Sequence, residues 1–196
     1  MKVLNYFDYN SYVTLTMFFI SLFVLVLGYI THGKSTDYLF STQKDSLLKP
    51  RTYIRLFTHI LGHSNWSHFS SNYLMILLLG PMIEEKYGWI NFLIMIVITA
   101  FITGVINFII GKNNLKGASN IVFMLIVLSA FVNVTGNKIP LTLVLVSIFY
   151  IVSEIINIGK NDSVARYGHI TGAICGLIFG FLSLNGSLFN IVLSIF

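Results

Sequence analysis

The chain has 196 residues, 56% of them hydrophobic and only 10% charged, with a net charge of +5 and a mean hydropathy of +0.82. Soluble domains average about 25% charged residues, so this composition excludes a water-soluble globule and points to a single all-α, polytopic membrane domain over 1–196. The lysines lie in loops and read as headgroup and topology contacts, not as a nucleic-acid footprint. Cys175 is the single cysteine, so no internal disulfide forms.

A spanning helix needs about 20 mostly apolar residues, and six runs approach that length. The first covers 12–30. No small-residue cleavage site follows it, so it reads as a retained helix. The loop 31–65 is long and mixed in polarity, and it carries Lys34, Lys44, Lys49, Arg51 and Arg55. Loops of this length usually have structure of their own, and RTYIRLFTHILGH within it reads as a short amphipathic helix along the interface. The second run, 66–83, stops at Glu84-Glu85-Lys86, and the third covers 89–110. The fourth, 118–134, follows the small polar turn NLKGAS; the fifth is 139–158 and the sixth 168–184. The tail SLFNIVLSIF is about half a span and reads as interfacial.

Alternation of short-looped spans makes the second, fourth and sixth run in one sense. Each carries its unusual polar residues near its own N-terminus: His68 and Asn72, then Ser119, then His169. The four therefore share one level, and His68 and Asn72, four apart, share a face. Polar groups at membrane depth usually face the bundle interior or a water-filled cavity. A serine and a histidine at one depth suit nucleophilic catalysis, with the imidazole as base. As the opening residue of a helix, Ser119 also has a free backbone N–H for a developing oxyanion. No carboxylate stands at this level, so the arrangement is a Ser–His dyad. Taken alone, Ser119 reads first as a helix cap, and the alternative for His68 with Asn72 is a structural polar network.

Glycines 168, 172, 176 and 180 form a stripe at a spacing of four beside His169. Small-residue stripes let membrane helices approach closely, and the fourth run, with Gly117 and Ala118 beside Ser119, is the natural partner. His59, His63 and His68 raise the question of a metal, but HExxH is absent and no carboxylate lies near. No metal or other cofactor is expected, and His63 reads as a polar anchor for the first loop. Glu154, late in the fifth run, is weak evidence for a small transporter.

These residues resemble the rhomboid intramembrane serine proteases. HSNWSHFSSN resembles the family's pattern of a histidine, a second five residues on, and an asparagine four further. GAS resembles its Gly-x-Ser motif and GHITGAICG its sixth-helix pattern, with weaker matches at RLFTH and GPMIEEKYG. The resemblance covers about Arg51 to Gly180 and implies a six-transmembrane-helix, rhomboid-like bundle. By it, Ser119 is the nucleophile and His169 the base and acid. His68, Asn72, Gly117, Asn120 and the Ser119 amide line the oxyanion and substrate site. Phe123 packs on His169, Gly172 and Gly176 support it, and Glu84 is structural. The first loop embeds in one leaflet, and the fifth helix with the neighbouring loop cap gates substrate access. Partners are transmembrane-protein substrates and the bilayer, in a bacterial plasma membrane with the site open to the extracytoplasmic side.

The chain departs from the family pattern in three places. Asn120 stands where glycine is usual, Met124 replaces a further glycine, and Ile54 replaces an aromatic residue. Asn120 puts a side chain where substrate or oxyanion should approach, which is the feature favouring a non-catalytic, client-binding member. The charge count also opposes the implied topology, with Lys2, Lys86 and Lys138 inside. Outside are Lys34, Lys44, Lys49, Arg51, Arg55, Lys112, Lys116, Lys160 and Arg166, the reverse of the positive-inside rule.

Overall fold

The computed structural model describes residues 8–111, 114–132, 134, 140–156 and 163–184. The tail 187–196, Lys2, Lys112, Lys138, Lys160 and the side chain of Glu154 lie outside that description. The described residues form α1 (Tyr12–Ile30), α2 (Lys34–Leu39), α3 (Pro50–Thr58), α4 (Trp66–Tyr87), α5 (Trp89–Ile110), α6 (Ser119–Ser129), α7 (Leu141–Ile156) and α8 (Ser163–Leu184). A 3-10 turn, His59–Leu61, follows α3. The helices α1 and α5 coincide with their apolar runs. In contrast, α4 continues through Glu84-Glu85-Lys86 to Tyr87, and α8 starts five residues before its run. A helix can extend into polar sequence wherever its backbone bonds continue, which hydropathy does not register.

Among the described residues, three stretches, Tyr12–Ile30, Trp89–Ile110 and Arg166–Leu184, are long and apolar enough to cross a membrane. Outward-facing side chains are apolar too: Phe23 is 66% exposed, Leu74 70% and Phe149 73%. Such a continuous apolar exterior has no place in water.

Glu84 explains why α4 does not stop at its charges. Its carboxylate turns inward at 5% exposure and accepts the backbone N–H of Val13 (2.8 Å) and of Thr14 (3.0 Å). It also accepts the Thr14 hydroxyl at 2.9 Å. The first N–H groups of a helix have no intrahelical acceptor, and a negative charge there also suits the helix dipole. Further along, Tyr73 donates to the Met17 carbonyl (3.0 Å), and the Trp66 N–H donates to the Tyr29 hydroxyl (2.9 Å). Rising numbers on α4 meet falling numbers on α1, so the two are antiparallel. Glu84→Ala removes the acceptor that these three α1 donors share among the described residues, and it is expected to destabilise the fold by about 3 kcal/mol. A melting temperature in detergent equal to wild type would refute this role.

The glycine stripe of α8 packs on the backbone of α6. A Cβ on Gly172 would collide with the Asn120 carbonyl oxygen. On Gly176 it would stand 2.6 Å from the Met124 oxygen, and on Gly180 it would strike the Phe131 ring. Numbers rise together along both helices, so α6 and α8 are parallel. Gly168 is outside this contact, since its nearest neighbours would be Thr103 Cγ2 at 3.8 Å and Leu115 Cδ1 at 3.9 Å.

The first loop packs against α5. A side chain at Gly104 would strike the Leu56 backbone, and Phe57 stacks on Phe101 with centroids 5.3 Å apart. Arg55, 3% exposed, pins this loop. Its Nε donates to the Tyr38 carbonyl and its Nη2 to the Asp37 carbonyl, both at 2.8 Å, and Nη1 pairs with Asp45 at 3.3 Å.

Candidate active site

Three elements converge at the end of the bundle where α4, α6 and α8 begin. Asn65 caps α4, its Oδ1 accepting the His68 N–H at 2.8 Å, as an N-cap side chain does. This fixes His68 in the first turn, with Asn72 one turn further on the same face.

The segment before α6 is strapped to the first loop by main-chain bonds. Leu115 and Thr42 exchange both N–H···O bonds, at 2.9 and 3.0 Å, and the Gly117 N–H donates to the His59 carbonyl at 3.0 Å. The Asn107 amide in turn donates to the Thr42 carbonyl at 3.2 Å. At Gly117 the backbone has φ 118°, a conformation that L side chains rarely adopt. A Cβ there would lie 2.6 Å from His68 Cε1, 2.7 Å from His68 Nε2 and 3.5 Å from Asn72 Nδ2. The bare glycine is what lets α4's His68 and Asn72 approach the backbone two residues before Ser119.

Ser119 is the first residue of α6; the capping position belongs to Ala118, which contributes no side-chain bond. The N–H groups of Ser119, Asn120 and Ile121 therefore have no acceptor within the helix. Phe123, one turn on from Ser119 and on the same face, stacks on His169 with centroids 4.2 Å apart and planes at 27°. Three residues after His169, Gly172 abuts the Asn120 backbone. His68, Asn72, Gly117, Ser119, Phe123, His169 and Gly172 are thus gathered at one end, and Gly176 lies a turn deeper. Ser119, His68 and His169 are half-buried, and Asn72 is buried.

Asn120 is enclosed, not open to a cleft. It is 2% exposed, and neither its Oδ1 nor its Nδ2 has a hydrogen-bond partner among the described residues. A side chain closed off in this way offers no atom to a substrate in this conformation; only its backbone adjoins the site. A buried amide without a partner is destabilising by about 1–3 kcal/mol. Asn120→Ala is therefore expected to melt at or above the wild-type temperature, and Asn120→Gly to keep or raise cleavage. A fall of several degrees for the alanine variant would reveal a partner for the amide.

His63, the first histidine of HSNWSHFSSN and the expected polar anchor of the first loop, has a partner that the sequence did not indicate. The Asn72 Nδ2 lies 3.2 Å from His63 Nε2, and His63 Nδ1 lies 3.3 Å from the Leu61 carbonyl. Burial first, and the neighbouring His68 second, hold the His63 pKa down to about 4, so its ring is neutral at neutral pH. His63 sits in a loop, where no periodicity points a side chain anywhere. Among the described residues, no three His, Cys, Asp or Glu side chains are grouped as metal ligands.

Two cavities adjoin the site. An apolar cleft of about 500 Å³ lies between α6, α7 and α8, lined by Phe123, Ile126, Val146, Phe149, Ile170 and Ala173 among others. A polar crevice of about 320 Å³ is lined by Tyr29, His32, Thr36, His63, Ser64 and Lys116, with Leu25 and two glycines.

The family model described as the Rhomboid domain matches residues 50–186, from α3 past the end of α8. The chain belongs to the rhomboid family. That rhomboid match takes in every residue gathered at the site. It also makes the chain an integral membrane protein with an all-helical, rhomboid-like bundle. Rhomboid protease GluP of Bacillus subtilis (strain 168) is 31% identical over 180 residues, covering 89% of this chain. The chain spans only about a third (35%) of that relative's own length.

Proposed function

We propose that this rhomboid is an intramembrane serine endopeptidase that cleaves transmembrane segments of other membrane proteins. The observation that supports it most is the stacking of His169 on Phe123, 4.2 Å between centroids, one helical turn from Ser119. The abutment of Gly117 on His68 and Asn72 adds to it. The name of the GluP relative points the same way.

In this reading Ser119 Oγ attacks the scissile carbonyl carbon while His169 takes the hydroxyl proton. Negative charge develops on the carbonyl oxygen, facing the Ser119 N–H and the His68 and Asn72 side chains. Donors aimed at that position are worth about 3–4 kcal/mol each. The tetrahedral intermediate collapses, the peptide C–N bond breaks, and His169 returns its proton to the leaving amine. Water, deprotonated by His169, then attacks the acyl-enzyme ester and releases the new carboxylate and free Ser119.

Depth follows from length. The 11-residue α6 is about 16 Å long, roughly half of a 30 Å hydrocarbon core. We place the C-terminal end of α6 at one surface, which leaves Ser119 below the other, within reach of a spanning substrate. The apolar cleft beside α7 offers that substrate a lateral approach, with α7 as the gate. The complete six-span topology, a bacterial plasma-membrane location and a site open to the extracytoplasmic side belong to the same proposal. Accessibility of single cysteines introduced at Lys116 and Lys138 tests the orientation, and a membrane-impermeant reagent reaching only the Lys138 position would reverse it.

The decisive experiment is fluorophosphonate labelling of the purified protein in detergent. Wild type is expected to label and Ser119→Ala to remain unlabelled. Labelling that survives in Ser119→Ala removes the nucleophile assignment, and folded wild type that never labels removes the enzyme.

A further inference from the structure

We propose that His63 is a positioning residue for this reaction, holding the Asn72 amide so that its Nδ2 faces the turn that presents Ser119. The inference rests on the reading above, in which Asn72 donates to the oxyanion.

The argument is one of hydrogen-bond direction. A carbonyl oxygen only accepts, so the contact between His63 Nδ1 and the Leu61 carbonyl at 3.3 Å puts the ring proton on Nδ1. In a neutral imidazole the other nitrogen then carries a lone pair. His63 Nε2 must accept, and the Asn72 atom 3.2 Å away must be its NH₂, not its oxygen. A flipped amide would set two lone pairs against each other. The same Nδ2 is the Asn72 atom that faces Gly117, 3.5 Å from where a Cβ would stand. One amide hydrogen is thus committed to His63 and the second is left for the side of the Ser119 turn. A backbone carbonyl in the first loop therefore sets, through one tautomer, which end of Asn72 the reaction meets.

The surroundings keep this chain of preferences intact. His63 is 2% exposed and Asn72 7%. The His63 ring packs edge-on against Phe69, with centroids 5.4 Å apart, and against His68 at 5.2 Å; Tyr73 lies at 5.6 Å. His63 borders the polar crevice, but at 2% exposure most of its ring contacts protein, and it cannot swing away without emptying that aromatic pocket.

The test combines three His63 variants with Asn72→Ala in steady-state cleavage of a transmembrane substrate. Phenylalanine keeps the ring packing and removes the acceptor. Glutamine places a carbonyl oxygen near the Nε2 position, and asparagine is too short to reach Asn72. His63→Phe and His63→Asn are expected to lower kcat about tenfold or more with KM nearly unchanged, because a misaimed donor is felt in the transition state. His63→Gln is expected to recover most of the loss. In the Asn72→Ala background, His63→Phe is expected to change kcat by less than about twofold, the non-additivity of groups acting as one. If phenylalanine prevents folding, the glutamine–asparagine contrast carries the test.

An equal loss from His63→Phe with and without Asn72 would make His63 merely structural and overturn the proposal. So would wild-type kcat in both His63→Phe and His63→Asn. Fluorophosphonate labelling separates the layers. Wild type that fails to label defeats the protease reading itself. Asn72→Ala that labels at the wild-type rate defeats the oxyanion role of Asn72. Slow labelling of Asn72→Ala beside normal labelling of His63→Phe defeats only the positioning role.

Discussion

Gly172→Ala is expected to abolish measurable cleavage, while Gly168→Ala, four residues away on the same stripe, leaves it intact. The added methyl at 172 meets the Asn120 carbonyl oxygen, a backbone atom that cannot rotate aside. Relief requires α8 to move away from α6. Overpacking of this kind typically destabilises by about 1–3 kcal/mol, and the displacement acts directly between the helix bearing Ser119 and the helix bearing His169. A shift of about 1 Å between reacting groups is enough to lower the rate about 100-fold. At 168 the same methyl makes ordinary van der Waals contacts at 3.8 and 3.9 Å. Alanine there also gains about 1 kcal/mol of helix propensity over glycine, so its melting temperature is expected to hold or rise. Thermal melts and cleavage rates of the pair decide the matter. Equal damage from both substitutions would refute the selective contact.

Gly117→Ala is the second large effect, and its character differs. The residue has φ 118°, where a non-glycine residue is strained by about 1–3 kcal/mol. Its methyl would also stand 2.6 Å from His68 Cε1 and 2.7 Å from Nε2. The imidazole must move, or the backbone before Ser119 must. Either change disturbs the donors assigned to the oxyanion, for which losses of about 100- to 1000-fold in kcat are typical of one missing donor. The expected signature is a fluorophosphonate labelling rate reduced by that factor, with a cooperative melt retained. Wild-type labelling of Gly117→Ala would show that neither His68 nor the Gly117 turn bears on the chemistry.

Both predictions depend on features that are only partly visible in one dimension. The glycine stripe can be read directly from its spacing, and so can its likeness to a helix-packing surface. Which glycines touch backbone and which do not depends on where α6 lies, and the structure separates 172, 176 and 180 from 168. The sharing of one level by His68, Asn72, Ser119 and His169 followed from alternating spans, and the parallel register of α6 and α8 agrees with it. The ends of α1 and α5 were legible because long apolar runs stop at polar or glycine residues there. The end of α4 was not, because two glutamates and a lysine look like a boundary in a hydropathy profile.

Glu84 and Asn120 mark the limit most clearly. As a charge after an apolar run, Glu84 reads as a stop, and the family resemblance implies a structural role without naming its partner; in the fold it lies within α4 and its carboxylate accepts three donors from α1. Asn120 reads as an intrusion into the site because it follows Ser119; in the fold its side chain is enclosed in the bundle. The sequence by itself determined the membrane class, the set of chemically capable residues and their order along the chain. Those depend on composition and on helical periodicity, which are local. Tertiary structure alone decided which way each polar group faces and which partner it meets: Glu84 toward α1, Asn120 into the core, and His63 onto Asn72. A hydrogen bond between residues in different elements depends on distance and direction across the bundle, and neither is encoded in the spacing of residues along one helix.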